Sequence, residues 1–331
     1  MNVLILSCGT RNKIVQYFKK ELGDRGSVIA TDCSKLAPAL YEADRHYVVP
    51  SLDSEDYLEV ILDICMENRV KAVLSLIDPE LSFLAKHNDL FLRNGVLPIV
   101  SDYDAVQLCF DKYRMACFLQ AHGYPTARSY ISKAEFYADV RAGRISYPVF
   151  VKPRKGSASV NINTVYSQEE LELLLGKYDD LMIQQFMQGK ELGADVYIDM
   201  ISGEVVSIFA KEKLRMRAGE TDKSVSVKDG TLFRLIIDFV KTAGLRGIVD
   251  IDIFRVDRNY FISEVNPRFG GGYPHAHECG VNVVEMILTN VQGRCNTSRV
   301  GMYSEGVYMM KYSDVKVSSL SQVQSKLFPG I

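Results

Sequence analysis

At 331 residues the chain has room for two or three packed units, and its formal net charge of -2 gives no global pull toward nucleic acid. Its 47% hydrophobic and 24% charged residues are ordinary globular chemistry; no apolar run approaches the ~20 residues of a membrane span, and the start Met-Asn-Val-Leu lacks a basic n-region. Seven scattered cysteines, never spaced C-x-x-C, exclude a disulfide framework or zinc ribbon and read as reduced thiols of a cytoplasmic protein.

The first hundred residues alternate short buried strands with helices. Strands are expected at Val3–Leu6, Ser27–Ala30, Tyr47–Val49, Val70–Leu76 and Val96–Val100. Helices fit Arg11–Leu22, Asp56–Met66 and a stretch opened by Asp78-Pro79-Glu80, with Asp78 as N-cap. This alternation implies a doubly wound parallel sheet covered on both faces. The pattern changes near residues 101–111. Helices at Asp102–Cys109 and Asp111–Ala121 follow each other, and beyond them come strands at Ala127–Ile131, Pro148–Lys152, Asn163–Tyr166 and Met182–Phe186. Further strands fit Gly193–Met200, Val205–Lys213, Ile248–Val256 and Tyr260–Val265, with helices at Thr231–Ala243 and Val281–Val291. Ser167-Gln-Glu-Glu170 is a capping box that starts a helix. The expected organisation is a doubly wound α/β unit over 1–105, a two-lobed α+β unit over 106–295 with its small lobe at about 125–186, and a segment 296–331 completing the large lobe.

Three stretches carry chemistry. In Asp250-Ile-Asp252 through Glu264-Val-Asn266-Pro-Arg268, a three-residue loop Asp257–Asn259 pairs Val256 with Tyr260, Asp252 with Glu264 and Asp250 with Asn266. All four polar residues then share one face, and opposed carboxylates call for a cation between them. Oxygen-only ligands suit Mg²⁺. A solvated polar hairpin face is the other reading of the same residues. In Val149-Phe-Val-Lys152-Pro-Arg-Lys-Gly156-Ser157-Ala-Ser159, a buried strand ends in a lysine and a small-residue loop that brings backbone N–H groups to phosphates. An exposed turn is the plainer reading. In Gln184-Gln185-Phe186-Met-Gln-Gly189-Lys-Glu191, an apolar strand runs through a turn to an acidic residue, which suits an adenine edge and a ribose as well as an ordinary solvated turn.

Taken in order, Asp111-Lys112, Val151-Lys152-Pro153 with its glycine–serine loop, Gln184–Glu191, Asp252 and Glu264-Val-Asn266-Pro-Arg268 resemble the ATP-grasp superfamily, in its carbamoyl-phosphate synthase large-subunit and carboxylate–amine ligase branch. The likeness covers about residues 1–295. It implies ATP with Mg²⁺, or Mn²⁺ in its place, as cofactors. Lys112 and Lys152 would contact phosphates, Lys152 also lying near the adenine, and Gly156–Ser159 would form a lid. The backbone at Gln185–Phe186 would read adenine, beside Gln184, and Glu191 the ribose. Asp252, Glu264 and Asn266 would hold the metal, with Arg268 and Lys152 as the catalytic cations. Gln184 stands where the family often has an acid, and Asp252 where Glu or Gln is commoner.

The implied activity is ADP-forming ligation: a small carboxylate becomes an acyl phosphate, which an amine attacks. A phosphotransferase, one piece of a split carbamoyl-phosphate synthase, or a non-catalytic ATP-binding regulator are the alternatives. Arg215, Arg217 and Gly271 are candidates for gripping the substrate, a charged solvated loop being the competing description of the arginines. His275 and His277 read as a polar loop near it. Expected partners are small-molecule carboxylate and amine substrates, with no nucleic acid or membrane and a homodimer left open.

Overall fold

Alternation within the first strands decides how the chain folds. In β1 (Asn2–Leu6), Val3 and Ile5 face one core, while Leu4 and Leu6 face another. A strand with both sides apolar must be central and covered twice. The computed structural model, which describes residues 1–156 and 163–319, places it so. A parallel sheet in the order β3-β2-β1-β4-β5 is completed by β2 (Val28–Asp32), β3 (Arg45–Val48), β4 (Val70–Ser75) and β5 (Leu97–Pro98). α1 (Asn12–Leu22) covers the Val3/Ile5 side; α2 (Tyr57–Glu67), α3 (Asp78–Lys86) and α4 (Asn88–Arg93) cover the other. The expected N-cap role of Asp78 is not what the structure shows: Ile77 takes the cap position, and the Asp78 side chain turns to an arginine described below.

After α5 (Tyr103–Phe110) and α6 (Lys112–Ala121) comes a four-stranded antiparallel sheet, β6-β9-β7-β8. Its strands are β6 (Ser129–Tyr130), β7 (Val149–Pro153), β8 (Asn163–Val165) and β9 (Leu181–Gln185). α7 (Lys133–Arg141), which the sequence pattern did not reveal, and α8 (Gln168–Lys177) pack Phe136 and Leu171 against Val149, Val151 and Ile183. The Ser167 cap is present, its side chain accepting from the Glu170 N–H.

The third sheet is antiparallel with order β14-β13-β10-β11-β12-β15. It comprises β10 (Lys190–Ile198), β11 (Val205–Arg217), β12 (Glu220–Val227), β13 (Gly247–Val256), β14 (Asn259–Asn266) and β15 (Tyr308–Met310). One face buries Ala194, Val196, Val249, Ile251 and Ile253 against Leu232, Ile236 and Phe239 of α9 (Gly230–Thr242). α10 (Tyr273–Glu278) and α11 (Val283–Val291) follow β14. Two expectations change here. β11 runs on to Arg217, so Arg215–Glu220 is a hairpin and not a loop after a strand. His275 lies in α10, 2% exposed, between Ser224 Oγ and the Val307 carbonyl oxygen. No helix among the described residues is long and apolar enough to cross a membrane.

The β13–β14 hairpin reaches the expected pairing by another route. The turn has two central residues, Asp257 and Arg258, so Val256 pairs with Asn259 and Arg255 with Tyr260. A bulge at Ser263 then adds one residue to β14 and restores Asp252 opposite Glu264 and Asp250 opposite Asn266. The shorter turn and the extra residue cancel.

Candidate active site

The face of the third sheet turned away from α9 is loaded with charge. Asp195 of β10 pairs with Asp250 of β13, and Gly193 with Asp252; Asp252 and Asp250 continue across to Glu264 and Asn266. Opposed carboxylates repel, and β11 supplies the compensating cations. Lys211 pairs with Asp195, both essentially unexposed. Lys213 Nζ lies 2.8 Å from Glu191 Oε1 and 2.6 Å from Asp252 Oδ1. Gly193 makes these crossings possible, because a Cβ there would stand 3.1 and 3.2 Å from the two lysine Cε atoms. Burial would lower Lys213, but Asp252, Glu191 and Asp250 hold it well above the lysine range. Burial, with Asp252 and Asp195, pushes the Asp250 carboxyl up to about 7.

The small sheet and α6 supply a second wall. Lys152 on β7 is 4% exposed, with no hydrogen-bond partner for its ammonium among the described residues. Burial holds it below the usual lysine range, Glu264 and Asp252 pulling the other way and Lys112 adding to the depression. Lys112 opens α6, donates to the Gly156 carbonyl oxygen and stands 3.9 Å from Glu264. Asp111 fixes this corner: it caps α6 through the Arg114 N–H at 3.0 Å and accepts from Arg154 Nε at 2.9 and 3.0 Å. A narrow cavity between the walls is lined by Asp78, Lys112, Gly156, Glu264 and Asn266. Gln184 is buried and donates to Ser129 Oγ at 3.0 Å. The Gln185 N–H donates to the Arg128 carbonyl oxygen at 2.8 Å, leaving half-buried Phe186 as the next residue of the chain. Ser157 and Ser159 lie outside the described residues.

Loops after β1 and β4 close the third side, as expected for the carboxyl edge of a doubly wound sheet. Arg268 donates to Asp78 at 2.8 Å and to the Phe269 carbonyl oxygen at 3.1 Å, while its buried Nε has no partner among the described residues. Burial opposes its charge, but Asp78 holds it above the ordinary arginine value. Arg11 and Lys311 meet at Glu220, at 3.0 and 2.8 Å. Over this cluster lie three glycines. A Cβ on Gly270 would stand 2.4 Å from the Asp250 carboxyl carbon, on Gly271 2.7 Å from Glu220 Cδ, and on Gly272 2.7 Å from Lys211 Cε. Arg215 and Arg217 remain more than half exposed, 3.8 and 3.5 Å from Asp222.

The structure therefore brings Lys112, Lys152, Glu191, Asp252, Glu264, Asn266 and Arg268 around one cleft. Sequence reasoning missed Arg11, Asp78, Asp195, Lys211, Lys213 and Glu220. The alternation of Lys211 and Lys213 along a strand was the one local signal available.

A family model described as an ATP-grasp domain matches residues 109–272, and one described as a PylC-like N-terminal domain matches residues 3–99. The chain is an ATP-grasp protein. Over 302 residues it is 24% identical to the arginine-specific carbamoyl phosphate synthase large chain of Geobacillus stearothermophilus, covering 87% of this chain and 28% of that one. Over 197 residues it is 26% identical to the 3-methyl-D-ornithine–L-lysine ligase of Methanosarcina barkeri, covering 58% and 48%. This ATP-grasp chain thus spans about a quarter to a half of those relatives' length. Solved structures share its fold. The biotin carboxylase domain dimer of Hydrogenobacter thermophilus 2-oxoglutarate carboxylase, solved with MgADP, superposes with TM-score 0.74 at 20% identity, covering 93% of this chain and 73% of that one. The N5-carboxyaminoimidazole synthetase of Staphylococcus aureus, complexed with ADP, gives 0.72 at 16%, covering 90% and 78%.

Proposed function

We propose that this ATP-grasp chain is an ATP- and Mg²⁺-dependent carboxylate–amine ligase that activates a small carboxylate as an acyl phosphate. The proposal rests on the meeting of an opposed oxygen-ligand set, Asp252, Glu264 and Asn266, with buried Lys152, Lys112 and Arg268 at one cleft. Relatives named as joining a carboxylate to an amine, including a D-alanine–D-alanine ligase 31% identical over 159 residues, support it.

The donor set fits Mg²⁺. Among the described residues no three His, Cys, Asp or Glu side chains are grouped to hold a metal. Two carboxylates and one amide oxygen leave positions for phosphate oxygens and water, as Mg²⁺ prefers. When bound, Mg²⁺ supplies positive charge against the phosphoryl oxygens. Lys152 and Lys112 bind phosphates, and Lys152 is suited because its ammonium is desolvated without a hydrogen-bonded counter-ion. Arg268, locked by Asp78, neutralises charge on the transferring group without having to reorganise. Glu191 takes the ribose once Lys213 gives it up, and the adenine edge falls to the chain at Gln185–Phe186, with Gln184 bracing it from below.

ADP release measured with panels of carboxylates and amines, singly and in pairs, tests the activity. ADP formed only with a pair is expected; ADP with a single acceptor identifies a kinase, and none under any condition contradicts the ligase proposal.

A further inference from the structure

The small sheet turns one face inward and one toward the cleft. Val149, Val151 and Ile183 point into the small lobe's own core. By alternation Phe150, Lys152, Met182 and Gln184 share the opposite face. There Gln184 pairs with Phe150 on one side and with Ser129 of β6 on the other, while Lys152 pairs with Met182. The charges that act on Lys152 are those of Glu264, Asp252 and Lys112, so this face looks onto the cleft.

Gln184 is 6% exposed, and its amide could present either an acceptor or a donor to the cleft. Ser129 decides which. Its hydroxyl has a single proton, and it donates that proton to the Ala127 carbonyl oxygen at 3.1 Å, an acceptor with nothing to donate in return. The Ser129 oxygen then has only lone pairs left for Gln184, and it accepts from the amide Nε2 at 3.0 Å. Oε1 is the end left over: it takes no hydrogen bond among the described residues and is not sealed from solvent. Turning the amide over would set Oε1 against an oxygen without a proton to give, a mismatch that costs more than a lost hydrogen bond.

We propose that the Ser129–Gln184 pair selects the base of the nucleotide, Gln184 Oε1 accepting from a 6-amino purine and Ser129 acting as the positioning residue that keeps Gln184 an acceptor. This rests on the nucleotide reading of the cleft. Adenine offers an N–H donor at its 6-position, whereas a 6-oxo purine offers a second lone pair, which a fixed acceptor rejects. An acid at position 184 would present only acceptors and need no such lock; the glutamine found here does.

The test is calorimetry of the intact chain with Mg·ATP and with the magnesium complex of inosine triphosphate, whose base has oxygen in place of the 6-amino group. The parent should prefer ATP by about tenfold or more. Ser129→Ala frees the amide to turn and should bring the ratio of the two affinities toward one, chiefly by a gain for the inosine nucleotide. Ser129→Thr keeps the hydroxyl and should keep the preference. Adding Gln184→Glu to Ser129→Ala should restore it, because a carboxylate has no donor to turn outward. If Ser129 only supports the sheet, Ser129→Ala lowers both affinities together and leaves the ratio unmoved, which overturns the proposal. A parent that binds the two nucleotides equally also overturns it, with the nucleotide reading left standing. A parent that binds neither removes that reading and the base selection with it.

Discussion

The same strands of the third sheet build two unlike faces. Along β13, Val249, Ile251 and Ile253 are fully buried against α9, while Asp250 and Asp252, interleaved between them, face the cleft. On the first face, removing area from water stabilises the fold. On the second, like charges oppose each other and are held by lysines reaching across Gly193. Period-two alternation lets one strand bury an apolar side in the core and present a charged side to the cleft.

The buried Lys211–Asp195 pair is where the charged face resembles a core most closely, and breaking it should have the largest effect. Lys211→Met strands a buried carboxylate and is expected to cost about 3–5 kcal/mol. The double change with Asp195→Leu should recover most of that in urea unfolding. Equal losses in the single and double variants would mean the pair is no unit. Next in size is the glycine cover. Gly270→Ala drives a Cβ into the Asp250 carboxylate and should lose about 1–3 kcal/mol by the same measurement.

How much of this was legible in the sequence differs between the two faces. Apolar runs located the parallel sheet and the α9 core, because strand alternation and helix spacing are local signals. Charged strands were harder. The stretch Leu214 to Asp222 reads as loop when polarity alone is weighed, yet it is the paired end of β11 and β12 inside a sheet. Nothing local told that Lys211 and Lys213, read as strand, face acids of β10 and β13. Arg11 and Asp78 reach the cleft through contacts about two hundred residues apart in sequence, for which no spacing rule exists. The pairing of Asp252 with Glu264 was foreseen, though through a turn one residue too long; no local signal marked the bulge at Ser263 that corrects it.

A pH-dependent effect sharpens the contrast. The Asp250 carboxyl is raised from 3.8 to about 7 by burial with Asp252 and Asp195, so the folded state prefers it protonated. Its contribution is complete below the unfolded value and is lost as pH rises through about 7. Asp250→Asn, neutral throughout, should melt like the parent near pH ~4 and above it at pH ~8. Parallel melting curves across that range would show that Asp250 is solvated in the folded protein.

The central claim is that the charged face is built for a nucleotide and its metal rather than for stability. Titration calorimetry of Mg·ATP, run with the apo melting temperature on the parent and on Glu264→Gln, tests it most directly. Removing one of two opposed carboxylates relieves a repulsion of up to about 1 kcal/mol but gives up a favourable charge beside Lys152 and Lys112, so the apo variant should melt near the parent. Its affinity for Mg·ATP should fall by about tenfold or more, ~1.4 kcal/mol or above. A parent that binds no Mg·ATP, or a variant that binds it equally well, would reduce Asp252, Glu264 and Asn266 to a polar sheet face.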